Sequence, residues 1–318
     1  MSMTGVYDVD QRQDDRSEHT IRRALDSGIT LLDTADSYGP FTNELLIGRA
    51  IAGNSNAVIS TKVGVTGRSD GAVLRNAHPD HIATACDASL RRLQVDRIDL
   101  YNLHAVDPHV PIAESWAAMS QLVQAGKVRA LGVMTDDVQV VNQLQQVFPV
   151  TAVMTQFSLW SQSSRGLINW CGDRGIGVLA KSPLGRGFLT GTITPTRKFA
   201  WTDLRSKLKE FNADALAADR PIIDLLKAVG RRHKAAPGQV ALAWLLAQGN
   251  HVIALTGTKR PDHLEENARA SDLQLTELDL RQLNGDDVDD ELTALGYSVL
   301  GYRPNLSINS SRTRPASA

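Results

Sequence analysis

The chain has 318 residues, 42% of them hydrophobic, with 34 basic against 35 acidic side chains. That length suits one large α/β barrel or two domains, and the apolar share can fill a sizeable core. The near-neutral balance carries no basic footprint for nucleic acid or an acidic membrane surface.

The N-terminus shows no basic stretch followed by an apolar one, so no signal peptide is expected. No apolar run approaches the ~20 residues needed to span a bilayer. Strand-type segments follow in order: ITLLDT, AVISTK, IDLYNLH, VRALGV, VTAVMTQF, GVLAKS and HVIALTG. Their nearly continuous apolar character suits parallel strands covered on both faces. Between them lie amphipathic segments such as HTIRRALDSG, HPDHIATACDASLRRLQ, IAESWAAMSQLVQAGK and PGQVALAWLLAQG. Several end in Gly, a helix C-cap signal. Strand-then-helix alternation predicts an α/β fold with a parallel sheet or (β/α) barrel, one domain over residues 1–304. The stretch 190–221 is long and mixed, the run GDDVDDE at 285–291 reads as a solvated acidic turn, and the polar tail 305–318 as disordered. Cys86 and Cys171 fall in helix-like segments without a partner at metal spacing, which predicts reduced, buried thiols in a cytoplasmic protein. There is no HExxH and no Cys/His cluster, so no metal site is expected.

Four residues form a candidate proton-donating unit. Asp33 and Tyr38 lie in ITLLDTADSYG, Lys62 in AVISTKVG and His104 in RIDLYNLHA. Each stands at or just past a strand end, where a barrel gathers its chemistry. Taken singly, each has an ordinary reading: a buried phenol, a solvated lysine, a half-buried imidazole. Together, a lysine ammonium lowers the phenol pKa, a carboxylate holds the lysine, and a histidine orients a substrate oxygen. Such a group would protonate a carbonyl oxygen while something else supplies hydride.

The segment DTADSYGPFTNELLIGRA, from Asp33 to Ala50, is followed in order by STKVG, DRIDLYNLHAVDP, AGKVRALGV, SPLGRGFLTG and GTKRPDHLEEN. These blocks resemble the aldo-keto reductases, in particular the bacterial and plant branch carrying DTADxYGPxTNExLxGRA. The likeness covers most of residues 15–285. It implies a (β/α)8 TIM barrel and an NADPH-dependent reductase of a small-molecule carbonyl compound. Tyr38 would be the general acid, Asp33 and Lys62 would tune it, and His104 would orient the substrate, with Asp33 also near the cofactor. Ser182, Leu184, Gly185 and Arg186 would wrap the pyrophosphate, with 190–221 covering the cofactor. Gly257, Thr258, Lys259 and Arg260 precede a helix, and two adjacent cations there suit a ribose 2′-phosphate. Glu266 and Asn267 match adenine contacts.

The pattern also breaks. The family's Ser-Asn pair and Gln, which hold the nicotinamide carboxamide, match Met134, Thr135 and Met154 here, and the ring that stacks on the nicotinamide matches Lys181. These departures predict weaker cofactor orientation, with Thr135 and Gln156 as substitute amide partners. Seven strands are counted where the family has eight: a hairpin and a first barrel strand have no counterpart before MSMTGVYD. Either the sheet is open or the working chain starts earlier, and exposed sheet edges favour the second. Two other functions share the resemblance. One is a nucleotide-sensing binding protein with little turnover; the other is a nucleotide-sugar reductase whose pocket Trp160 and Trp201 would border.

Overall fold

The computed structural model describes residues 3–5, 7, 13–53, 56–69 and 72–285. The acidic run beyond Gly285 and the polar tail lie outside the described residues. Helix α1 (Asp14–Asp26) leads into strand β1 (Leu31–Asp33), then α2 (Thr42–Ile51) and β2 (Val58–Val63). An antiparallel hairpin, β3 (Val65–Ser69) with β4 (Ala72–Arg75), follows at the end of β2. Strand–helix alternation then runs through α3 (Pro79–Leu93), β5 (Ile98–Leu103), α4 (Ile112–Gln124), β6 (Val128–Met134), α5 (Val138–Gln145), β7 (Ala152–Gln156), α6 (Arg165–Gly172) and β8 (Gly177–Lys181). A 3-10 turn (Gly185–Thr190) opens a long connection that ends in α7 (Ala213–Ala218), α8 (Arg220–His233) and α9 (Pro237–Leu246). Strand β9 (Val252–Leu255), α10 (Pro261–Ala268) and α11 (Glu277–Asn284) complete the chain.

The seven long-range strands form one parallel sheet in the order β1-β2-β5-β6-β7-β8-β9. All seven expected strands are present. The hairpin β3–β4 was not anticipated from sequence, because VTGRS and AVLR are short and without a clear apolar alternation. The sheet curls as a barrel wall, but β1 and β9 are not paired with each other among the described residues. Helices close that side instead: α1 packs on α10, with Arg23 Nε 2.9 Å from Glu265 Oε1.

Side-chain alternation along the strands gives two cores. Tyr101, Val133, Val153, Val178 and Ala180 point outward into the large core beneath the helices. Leu100, Ala152, Met154 and Leu179 point inward and form a small cluster inside the barrel, edged by Leu31, Ala130, Met134 and Leu255. Gly132 lies between Ala130 and Met134 on that inner face. A Cβ there would sit 2.1 Å from Asn102 Oδ1, so the barrel interior at this level has no room for a side chain. Local signals seat the helices. His78 caps α3 by accepting from Asp80 N at 3.4 Å, Pro79 follows at the first turn, and Gln94 ends the helix in left-handed geometry. No helix among the described residues is long and apolar enough to cross a membrane. Cys86 and Cys171 are buried free thiols, and burial pushes Cys86 up to about 12.

Candidate active site

Parallel strands present all their C-terminal ends on one rim, and the expected residues gather there. Asp33 is the last residue of β1 and alternates with inward Leu31, so its carboxylate faces the barrel interior. Lys62 is next to last in β2, pairs in register with Asn102 of β5, and is fully buried. Its Nζ donates to Asp33 Oδ2 and to the Thr34 carbonyl, both at 2.5 Å. Tyr38 sits in the turn after β1, where its N–H donates to the Ala35 carbonyl and its own carbonyl accepts from Asn43 N. Lys62 Nζ lies 5.0 Å from the Tyr38 ring centroid, close enough for its charge to favour the phenolate. His104 follows β5, and its ring meets the Tyr38 ring edge-on at 5.8 Å. Ser37 Oγ is 3.4 Å from His104 Nδ1. The turn depends on Gly39, whose φ of 64° is left-handed and whose absent Cβ would fall 2.4 Å from Thr42 Oγ1.

The electrostatics correct one expectation. Lys62 does lower the Tyr38 pKa, but burial raises it more, and the net direction is upward from the ordinary 10.0. The reason is that Asp33 cancels much of the lysine charge at short range while the phenol has lost its water. Lys62 is raised from 10.5 despite its burial, held charged by Asp33 and Tyr38.

Two supporting residues escaped sequence reading. Ser60 Oγ donates to Asp33 Oδ1 at 2.7 Å, and Asn102 Nδ2 donates to Ser60 Oγ at 3.0 Å and to the Thr61 carbonyl at 3.1 Å. Their signal was available: Ser60 lies two residues before Lys62 in β2 and Asn102 two residues before His104 at the end of β5, each a polar group in an otherwise apolar run. Asp36 was also passed over. It is 5% exposed, its Oδ1 has no partner, and burial with Glu44 nearby pushes its carboxyl up to about 7.

The expected nucleotide residues follow β8 and β9, the last two strands in the sheet order. Ser182 follows β8 with φ 55°, and after Leu184 at φ −98° the residues Gly185, Arg186 and Gly187 are again left-handed at 55°, 53° and 99°. Such reversals make a concave backbone surface suited to anions. Leu184 anchors the turn by accepting from Gly187 N and Leu189 N. Arg186 Nη1 pairs with Glu210 Oε1 at 2.8 Å, and Nη2 donates to Gln156 Oε1 at 3.4 Å. A pyrophosphate here would compete with Glu210 for Arg186. Gly257, Thr258 and Lys259 form the loop after β9, and Arg260 stands at the N-cap of α10 with its guanidinium forked on Asp262. Glu266 and Asn267 lie in α10, where the Glu266 carbonyl accepts from Gln239 Nε2 at 3.0 Å. Thr135 Oγ1 is occupied by Asp137 N at 3.1 Å and Gln156 by Arg186, so both proposed amide partners already have other partners.

Other expectations are adjusted. Two histidines outside the site are tied into the fold: His233 Nε2 lies 2.7 Å from the buried carboxylate of Asp279, and His251 bonds the Ile168 carbonyl. Trp160 packs on Phe188 at 4.3 Å and donates to Asp219 Oδ2 at 2.6 Å, whereas Trp201 is 80% exposed. Trp160 is therefore a packing residue under the 3-10 turn. Among the described residues no group of His, Cys, Asp and Glu could hold a metal ion.

The aldo/keto reductase family model matches residues 1–285. A probable aldo-keto reductase from Glycine max is 34% identical over 286 residues, covering 89% of this chain and 82% of that protein. A glycerol dehydrogenase structure from Gluconobacter oxydans superposes with a TM-score of 0.80 at 30% identity, over 88% of this chain and 86% of the other. A Klebsiella pneumoniae aldo/keto reductase solved with NADP and acetate gives a TM-score of 0.69 at 26% identity, over 88% and 89% of the two chains. A buried Lys–Asp–Tyr group with a histidine at the rim of a parallel barrel sheet, and a match of this extent, agree: the chain belongs to the aldo/keto reductase family.

Proposed function

We propose that this protein reduces an aldehyde or ketone with NADPH, with Tyr38 as general acid. The observation that carries the reading is Lys62, an ammonium with no solvent exposure, held by Asp33 and lying 5.0 Å from the centroid of the Tyr38 ring. A buried charge of this kind is costly unless it serves something. Tyr38 gives its proton to the carbonyl oxygen, and Lys62 stabilises the phenolate left behind. His104, edge-on to Tyr38, orients the same oxygen. Asp33 keeps Lys62 charged, and Ser60 and Asn102 keep Asp33 in place.

A reduced nicotinamide nucleotide, when bound, supplies the hydride. The left-handed residues Ser182 and Gly185 to Gly187, and the cationic pair Lys259–Arg260, suit its pyrophosphate and a 2′-phosphate respectively. The NADP and NADPH found in the Klebsiella pneumoniae reductases support that choice of nucleotide. Arg186 and Arg260 hold internal carboxylates, Glu210 and Asp262, that phosphate would displace.

The test pairs binding with turnover. NADPH should quench tryptophan fluorescence saturably and more tightly than NADH, and a panel of aldehydes and ketones should yield NADPH oxidation that Tyr38→Phe abolishes. Tight binding with no turnover on any carbonyl would favour a nucleotide-sensing role, a reading motivated by Met134, Met154 and Lys181 at positions where polar or aromatic groups would orient a nicotinamide. No binding of either nucleotide would defeat the reductase reading.

A further inference from the structure

Lys181 ends β8 two residues after inward-facing Leu179, so its side chain also enters the barrel mouth. It is half-buried, and its Nζ lies 3.5 Å from Met134 Sδ. A thioether is a weak acceptor and carries no charge. No carboxylate pairs with Lys181 among the described residues. The closest acidic influence, Asp136, is already engaged by the Thr155 and Ser164 hydroxyls. Burial pushes the Lys181 pKa down, and the positive charges of Arg186 and Lys62 add to that. This is a cation with no carboxylate in contact among the described residues, offset only through space by Asp136, at the mouth of a partly dehydrated site where its field is poorly screened.

Its place matters because of what lies on either side. The left-handed turn begins at Ser182, the next residue, and the phenol of Tyr38 lies with Lys62 on the other side of the mouth. A hydride-donating ring whose phosphates rest on that turn, and whose reacting carbon must approach Tyr38, has to cross the end of β8. Lys181 and Met134 are the inward side chains there.

We propose that Lys181 makes this site select the reduced, uncharged nicotinamide over the oxidised, cationic one. The proposal rests on the reductase reading of the same site. NADP⁺ differs from NADPH by one positive charge on the ring, so a neighbouring ammonium weakens the oxidised form and leaves the reduced form nearly untouched. The spent nucleotide then leaves readily, and the protein works toward the alcohol far better than away from it. Lys181 is a selectivity determinant in this scheme, with no proton or hydride passing through it.

The experiment measures dissociation constants of NADPH and NADP⁺ separately, by fluorescence or calorimetry, for the wild type, Lys181→Met and Lys181→Arg. The wild type should favour NADPH by about tenfold or more, equivalent to 1.4 kcal/mol. Lys181→Met should shrink that ratio at least fivefold, mainly by tightening NADP⁺, while Lys181→Arg keeps it. Equal affinities in the wild type overturn the proposal without any variant. So does an unchanged ratio in Lys181→Met. Failure of the wild type to bind either nucleotide is a different result, because it removes the reductase reading on which the proposal stands.

Discussion

Asp33→Asn isolates the buried charge pair. The change keeps the shape of the side chain and the hydrogen bond from Ser60, but removes the only carboxylate on Lys62 among the described residues. Lys62 has no exposed side-chain surface and the Asp33 side chain is 14% exposed, so solvent cannot take over the lost partner. Removing one member of a buried pair costs ~3–5 kcal/mol, because the remaining charge is stranded. The Thr34 carbonyl at 2.5 Å and the Tyr38 phenol soften this, which places the expectation near ~3 kcal/mol at pH 7. The pH dependence gives a second check. In the wild type Lys62 is raised above 10.5, so its stabilisation is complete below that value and is lost only as pH climbs through the higher folded value. In the variant the stranded ammonium is depressed, so the unfolded chain binds the extra proton and stability rises with pH up to the ordinary lysine value. The gap between the two proteins should therefore narrow between pH 7 and about 10. Urea unfolding at pH 7, 8.5 and 10 measures it. A penalty under ~1 kcal/mol at pH 7, or a gap that stays constant with pH, would refute the account of Lys62 as a buried ammonium held by Asp33.

Further consequences can be measured directly. Tyr38→Phe should lower kcat by ~10²–10⁴ while changing the NADPH dissociation constant less than about twofold, since the phenol acts on the carbonyl oxygen. Because the Tyr38 pKa is raised, the acid form persists through neutrality, and kcat/KM for reduction should stay level to pH 9 and fall only above about 10. Asp36 is raised from 3.8 to about 7, so folding loses stability as pH rises between those values and the loss saturates above them. Asp36→Asn should therefore add ~1–3 kcal/mol at pH 8 and nothing at pH 4, below an upper bound of about 4 kcal/mol from the size of the shift; a urea midpoint unchanged at pH 8 counts against it. Gly132→Ala would press a methyl onto Asn102 Oδ1, with ~1–3 kcal/mol of overpacking visible as a lower Tm.

How far the sequence could be read depended on which signal each feature left. The seven parallel strands were legible because strands covered on both faces are apolar throughout, as in VRALGV and GVLAKS. The tetrad was legible because Asp33, Lys62 and His104 each interrupt such a run at its end. The hairpin β3–β4 left no comparable trace, since VTGRS and AVLR are too short and mixed to show a period. Ser60 and Asn102 were hidden inside runs read as apolar, and only the inward alternation from Lys62 and His104 reveals their direction. The sign of the Tyr38 shift was beyond sequence altogether. It depends on a competition between burial and one partly neutralised lysine, and neither quantity is written in the order of residues. The contact between Lys181 and Met134 joins residues 47 positions apart, and only the closed geometry of β6 and β8 brings those two departures together.

The edges of β1 and β9, unpaired among the described residues, give the site a mechanical character. Asp33 and the turn bearing Tyr38 hang from one edge of the sheet, and the loop Gly257–Arg260 hangs from the other, with α1 and α10 clasped across the outside. A dinucleotide reaching from Tyr38 to Arg260 would span that seam like a stitch. Occupancy and cohesion are then one equilibrium: the filled protein should melt higher, by a margin set by nucleotide concentration over its dissociation constant. Amide exchange along β1 and β9 should be the first to slow as nucleotide is added, while β5 and β6, paired on both sides, hardly change.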